Sequence, residues 1–131
     1  MDALVRASLD ADEGVRNNAV RALWLLAGGK PELARRVPAE PFIGLIHLGS
    51  WSDHNKASLV LEALTKSRDG TVLEQLRSEA LDPLREMARW SSLGHAGAAL
   101  SILGRMAGID ENALDAMIES GEVSPILEKF K

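Results

Sequence analysis

Three histidines, His47, His54 and His95, are the residues of this chain most able to hold a metal or move a proton near neutral pH. A metal site needs imidazoles that converge, typically with a fourth ligand. His54 and His95 fall near the starts of two similar helical segments, and His47 falls on a different one. No motif spacing joins them, so they are expected as solvated or capping histidines and no metal is expected. Ser52-Asp53-His54 has the residue types of a nucleophile, an orienting acid and a base. Adjacent residues at a helix start point in different directions and cannot form a relay, so capping is the reading kept. Gly28-Gly29-Lys30 looks like the tail of a phosphate loop, but the full motif needs an earlier glycine, a preceding strand and Ser or Thr after the lysine, and Pro31 follows instead. It reads as a helix exit. Asp110, Glu111, Asp115 and Glu119 recur at helical spacing; Asp110 is expected to cap that helix and the others to form a solvated face. No catalytic residue and no cofactor are expected.

The elements that would position these residues are helical. The chain has 131 residues, 46% of them apolar and 26% charged, which suits one soluble domain. Tyrosine is absent while Ala, Leu, Glu and Arg are common, a composition that favours helix over sheet. The net charge of −4 lowers the expectation of a nucleic-acid face. Trp24, Trp51 and Trp90, among five aromatics without basic interleaving, read as packing residues rather than base-stacking platforms. Cysteine is absent, which excludes a disulfide framework and fits the cytoplasm. No apolar run approaches the roughly 18 residues needed to cross a bilayer, and Met1–Arg6 lacks the basic start and apolar core of a secretory signal, so none is expected.

Organisation is periodic. Pro41, Pro83 and Pro125 stand 42 residues apart, each leading into an apolar helical pattern: Phe42–Leu48, Leu84–Trp90 and Ile126–Phe130. A period near 40 in a helical chain is the mark of an α-solenoid. A long helix recurs beside it, over Val15–Ala27, Lys56–Arg68 and His95–Ala107. Ala19, Val60 and Ala99 coincide, one turn before Leu23, Leu64 and Leu103, and this spacing predicts one buried stripe per helix. Polar entries are expected at Asp10 and Asp12, at Ser52 and Asp53, and at Ser91 and Ser92. Glycine exits are expected at Gly28-Gly29, Gly70 and Gly108. Ser67 and Arg68 replace the apolar Leu26 and Ala27, so the second long helix should end early. Connecting helices are expected over Pro31–Val37, Thr71–Ala80 and Glu111–Ser120. The units are then approximately 1–40, 41–82 and 83–124, with a partial 125–131 that starts a fourth.

Glu119-Ser120-Gly121-Glu122-Val123-Ser124-Pro125-Ile126-Leu127 resembles the joint between armadillo repeats, where a glycine and a proline separate units. Val15-Arg16-Asn17-Asn18-Ala19-Val20-Arg21-Ala22-Leu23 resembles the long helix of armadillo or HEAT repeats. The resemblance covers essentially the whole chain, although the middle joint, Ser78–Pro83, lacks the glycine. It implies an all-α, right-handed α-α superhelix of about three repeats, starting and stopping within a unit. No polar cap is evident at either end, so a piece of a longer solenoid, or self-association through uncapped ends, is expected.

In such repeats the long helices line a concave face. Importin-type repeats place Trp and, one turn later, Asn there; the matching positions here are Arg21 and Leu25, Glu62 and Lys66, Ser101 and Arg105. Neither Trp nor Asn appears at any of them, so binding of nuclear-signal peptides is not implied. A mixed-charge ladder remains, with Asn17, Ser58 and Gly97 one turn earlier, and such a groove suits a protein segment better than DNA. The expected function is a non-enzymatic interaction scaffold that binds a protein or peptide through Asn17, Arg21, Trp24, Glu62, Lys66 and Arg105. Two alternatives follow from the resemblance. HEAT-like enzymes include proteins similar to DNA-repair glycosylases and pigment lyases, and armadillo-type exchange factors clasp a heat-shock chaperone.

Overall fold

A computed structural model describes residues 2–48, 50–90 and 92–131. Among these there are ten helices and no strand. The chain forms two compact units, residues 1–67 and 68–131.

The first unit holds α1 (Asp2–Ala7), α2 (Glu13–Gly29), α3 (Pro31–Ala34), α4 (Glu40–Leu48) and α5 (Trp51–Leu64). Helix α2 packs against α1, α3 and α5, and α4 packs against α5. Residues three and four apart share a helix face, and Ala19, Val20, Leu23 and Ala27 accordingly form the buried stripe of α2. Phe42, Ile43 and Ile46 bury the corresponding face of α4, and Ala57, Val60, Leu61 and Leu64 that of α5. Each leucine-sized side chain removed from water contributes about 2 kcal/mol before entropy is counted. Helices α2 and α5 run parallel. Arg16 meets Asp53 at their N-terminal ends, and the Lys66 ammonium lies beside Gly28 at their C-terminal ends.

The second unit holds α6 (Gly70–Glu79), α7 (Leu81–Ala88), α8 (Leu93–Met106), α9 (Glu111–Ser120) and α10 (Ser124–Glu128). Helix α8 contacts all four others. Ala96, Ala99, Leu100, Ile102 and Leu103 are fully buried on it, beside Leu76, Leu84, Leu114 and Ile126 from its neighbours. Gly104 lets α9 approach closely: a Cβ there would stand 2.2 Å from Leu114 Cδ1.

The ends of the helices refine the expected boundaries. Asp12 caps α2, accepting from the Val15 amide, as anticipated. The cap of α5 is Ser50, two residues before the expected Ser52. Its hydroxyl accepts from the Asp53 amide while the Asp53 carboxylate accepts from the Ser50 amide, a reciprocal capping box. Ser91 lies outside the described residues, and Ser92 sits at the cap position of α8 without a side-chain bond. Gly70 opens α6 behind the cap Asp69 rather than closing α5. The left-handed backbone needed near that exit is taken by Arg68, at φ 57°. Helix α5 ends at Leu64, the early stop expected. Gly108 (φ 76°) and Gly121 (φ 79°) occupy the left-handed positions after α8 and α9, where glycine avoids the Cβ clash. The post-proline helices start slightly before their prolines, at Glu40, Leu81 and Ser124. First-turn amides have no partner within the helix, so a proline at any of these positions loses no bond.

Candidate functional site

Helices α2 and α5 carry four of the six residues expected to bind a partner, and a fifth, Lys66, follows the end of α5. Asn17 is half-buried and its Nδ2 donates to Ser52 Oγ at 3.2 Å. One turn on, Arg21 is exposed; Trp24 is half-buried and Leu25 is 61% exposed. On α5, Glu62 is half-buried; just beyond its end Lys66 is exposed. Lys66 also lines a cleft of about 160 Å³ with Ala27, Gly28, Pro31 and Ala63. Because α2 and α5 are parallel neighbours, these residues share one pair of helices.

Arg105 does not belong with them. It is 5% exposed, and its guanidinium donates to Glu111, from Nε at 3.2 Å and from Nη2 at 2.7 Å. Arg68 Nη2 donates to the same carboxylate at 3.0 Å and to the Ile109 carbonyl. The Arg105 hydrogen bonds, reinforced by Arg68, hold the Glu111 carboxyl down at about 2 against the desolvation that would raise it. Arg105 thus fixes the α8–α9 turn and presents no exposed charge. Glu111 is correspondingly not a member of a solvated acidic face, whereas Asp115 and Glu119 are exposed. Asp110 caps α9, accepting from the Asn112 and Ala113 amides at 3.1 and 3.3 Å.

The residues with catalytic types do not converge. Asp53 is 3% exposed, and Arg16 donates to it from Nε at 3.0 Å and Nη2 at 3.1 Å. Those bonds, with further ones from Ser50, hold its carboxyl below the usual range despite burial. Both of its oxygens are therefore used in joining α5 to α2, and Ser52 Oγ accepts from Asn17. His54 Nε2 has no hydrogen-bond partner. Gly28 and Gly29 close α2, and the Lys30 amide returns to the Leu26 carbonyl, the helix exit expected. Among the described residues no group of three His, Asp or Glu side chains could hold a metal ion. No helix of the described residues is long and apolar enough to cross a membrane.

A second surface of the first unit was not expected from the sequence. A cavity of about 550 Å³ lies beside α4, walled by Leu9, Pro41, Leu45 and Leu48 and floored by the Arg16–Asp53 pair. Leu48 is 91% and Leu9 55% exposed. The sequence does hold a signal for it. Five of the nine residues of α4 are Phe, Ile or Leu, more than one buried face of a short helix can use. Leu45 and Leu48 fall outside the stripe made by Phe42, Ile43 and Ile46. Trp51, read as a packing residue, is 54% exposed close by in the chain, while Trp24 and Trp90 are half-buried. Comparison with protein-family models, curated proteins and solved structures finds no match for this chain.

Proposed function

We propose that the chain is a non-catalytic protein-interaction scaffold of the armadillo/HEAT type, a right-handed α-α superhelix of about three repeats. The helix order supports this reading. A short helix, a long one and a connector recur as α1–α2–α3, α4–α5–α6 and α7–α8–α9, with α10 in the place of a fourth short helix. The parallel packing of α2 on α5 is what stacked units require of successive long helices. The absence of cysteine suits the reducing cytoplasm in which such a scaffold would work.

One observation carries the functional part. Arg21, Trp24 and Leu25 cluster within two turns of α2, off its buried stripe, and Leu25 is largely exposed. Arginine and tryptophan beside an exposed leucine are the side chains that dominate binding energy at protein interfaces. Glu62 and Lys66 extend the patch onto α5 with both signs of charge. Rim charges of this kind select a partner and steer its approach more than they add affinity. The ligand is therefore a protein segment laid across α2 and α5.

The test uses charge reversal at exposed positions only. Arg21→Glu with Lys66→Glu is expected to weaken a captured partner at least about tenfold in calorimetry, while far-UV circular dichroism stays unchanged. Capture at parental affinity with helicity intact moves the site off this face. Arg105 has no place in the test, because reversing a buried charge beside Glu111 disrupts the fold itself.

A further inference from the structure

The cavity beside α4 lies apart from the Arg21–Trp24–Leu25 patch and has its own chemistry. Its α4 wall consists of Pro41, Leu45 and Leu48, spaced by four and three residues, so it runs along two turns of one helix face. An amphipathic helix of a partner can lay its apolar face along such a wall. Leu48, at 91% exposure, packs against almost nothing in the chain itself.

The floor is polar but saturated. Arg16 Nη1 donates to the Asp10 and Ala11 carbonyls at 3.0 and 2.9 Å, and its Nε and Nη2 donate to Asp53. Asp53 also accepts from the Ser50 amide and hydroxyl. The charges at the bottom are thus already paired with each other, and the open part of the groove is walled by leucines.

The surroundings carry one sign of charge. Asp10, Arg16 and Asp53 line the groove, and Asp12 and Glu13 follow Asp10 in the chain, so four carboxylates stand against the single cation Arg16. Asp10, Asp12 and Glu13 are exposed on the α1–α2 side.

We propose that this groove docks a basic amphipathic helix of a partner protein. Its apolar face packs on Leu9, Leu45 and Leu48, and its lysines or arginines face Asp10, Asp12 and Glu13. Burial of the apolar stripe supplies affinity, and the carboxylates select the sign of the partner and speed encounter.

Fluorescence anisotropy of the full chain with three labelled peptides tests this. The first is a Leu/Lys peptide with leucines at i, i+3, i+4 and i+7. The second has the same composition in scrambled order, and the third replaces Lys by Glu. The first is expected to bind at least about tenfold more tightly than the other two. Leu48→Asp is the decisive variant. The side chain is exposed, so the fold is kept, and the added carboxylate makes the rim more acidic. Groove docking predicts about a tenfold loss, whereas mere charge attraction predicts equal or tighter binding. Equal binding by Leu48→Asp, or equal binding of the Glu peptide, overturns the proposal. So does a dimer of the chain in sedimentation equilibrium that Leu48→Asp dissolves, because the groove would then hold a second copy.

Discussion

Gly97 and Gly104 lie two turns apart on α8, and replacing each by alanine should move stability in opposite directions. The helical gain is the same at both: alanine favours helix over glycine by about 1 kcal/mol, mainly by restricting the unfolded chain. The surroundings differ. A Cβ at Gly97 meets nothing within 4 Å. A Cβ at Gly104 would stand 2.2 Å from Leu114 Cδ1, 2.9 Å from Cδ2 and 3.1 Å from Cγ. Carbon atoms pack at about 3.5–4.0 Å, so Leu114 must retreat by more than about 1 Å. It is fully buried between α9 and α8, so any retreat disturbs packed neighbours. Overpacking of this severity belongs at the upper part of the usual range of about 1–3 kcal/mol. Gly104→Ala should therefore lose about 1.5–2 kcal/mol, and Gly97→Ala should gain up to about 1 kcal/mol. The difference between them isolates the overpacking because the helical term cancels. Urea denaturation followed by circular dichroism at 222 nm measures both, given unchanged m-values. The double variant Gly104→Ala, Leu114→Ala should be less destabilised than the sum of the single changes by at least about 1 kcal/mol. Stabilisation by Gly104→Ala comparable to that of Gly97→Ala refutes the close approach of α8 and α9.

Acid should weaken the second unit through Glu111. Its folded pKa, about 2, lies below the ordinary 4.5, so the stabilisation is full above pH 4.5 and is lost as pH falls towards 2. The full shift corresponds to roughly 3 kcal/mol. The side chain is 40% exposed, however, and solvent screening reduces this to about 1 kcal/mol; Glu111→Gln should flatten the pH dependence of the urea midpoint between pH 5 and 2.5. Arg68 combines a left-handed backbone with hydrogen bonds to Ile109 and Glu111. Arg68→Ala and Arg68→Gly both lose those bonds, but only glycine tolerates φ 57° freely, so the glycine variant should be the more stable of the two by about 1 kcal/mol in the same urea assay. Asp53→Asn keeps the shape of the side chain but sets an amide against donors from Arg16 and Ser50, and it should lower the thermal midpoint measured by circular dichroism while Ser52→Ala barely moves it.

Spacing along the chain determined the helical elements of this protein and the faces they bury. Ala19 and Leu23, Val60 and Leu64, and Ala99 and Leu103 were picked out by recurrence alone, and all six are buried. A helix face depends only on residues three and four apart, which a single sequence displays. The Asp12 and Asp110 caps and the Gly108 and Gly121 exits are equally local, because each side chain or backbone bond closes within a few residues. What depends on which helices meet was decided by the tertiary structure. Arg105, matched with the exposed Lys66 only by spacing along the chain, is buried against Glu111 because α9 packs along α8. Asp53 belongs to Arg16, 37 positions away, and not to its neighbours Ser52 and His54. The cavity beside α4 needs Leu9 and Leu48 brought together from separate helix ends. Periodicity says which residues leave water, but the partner of a charge and the wall opposite a leucine are set only when helices distant in the chain are packed.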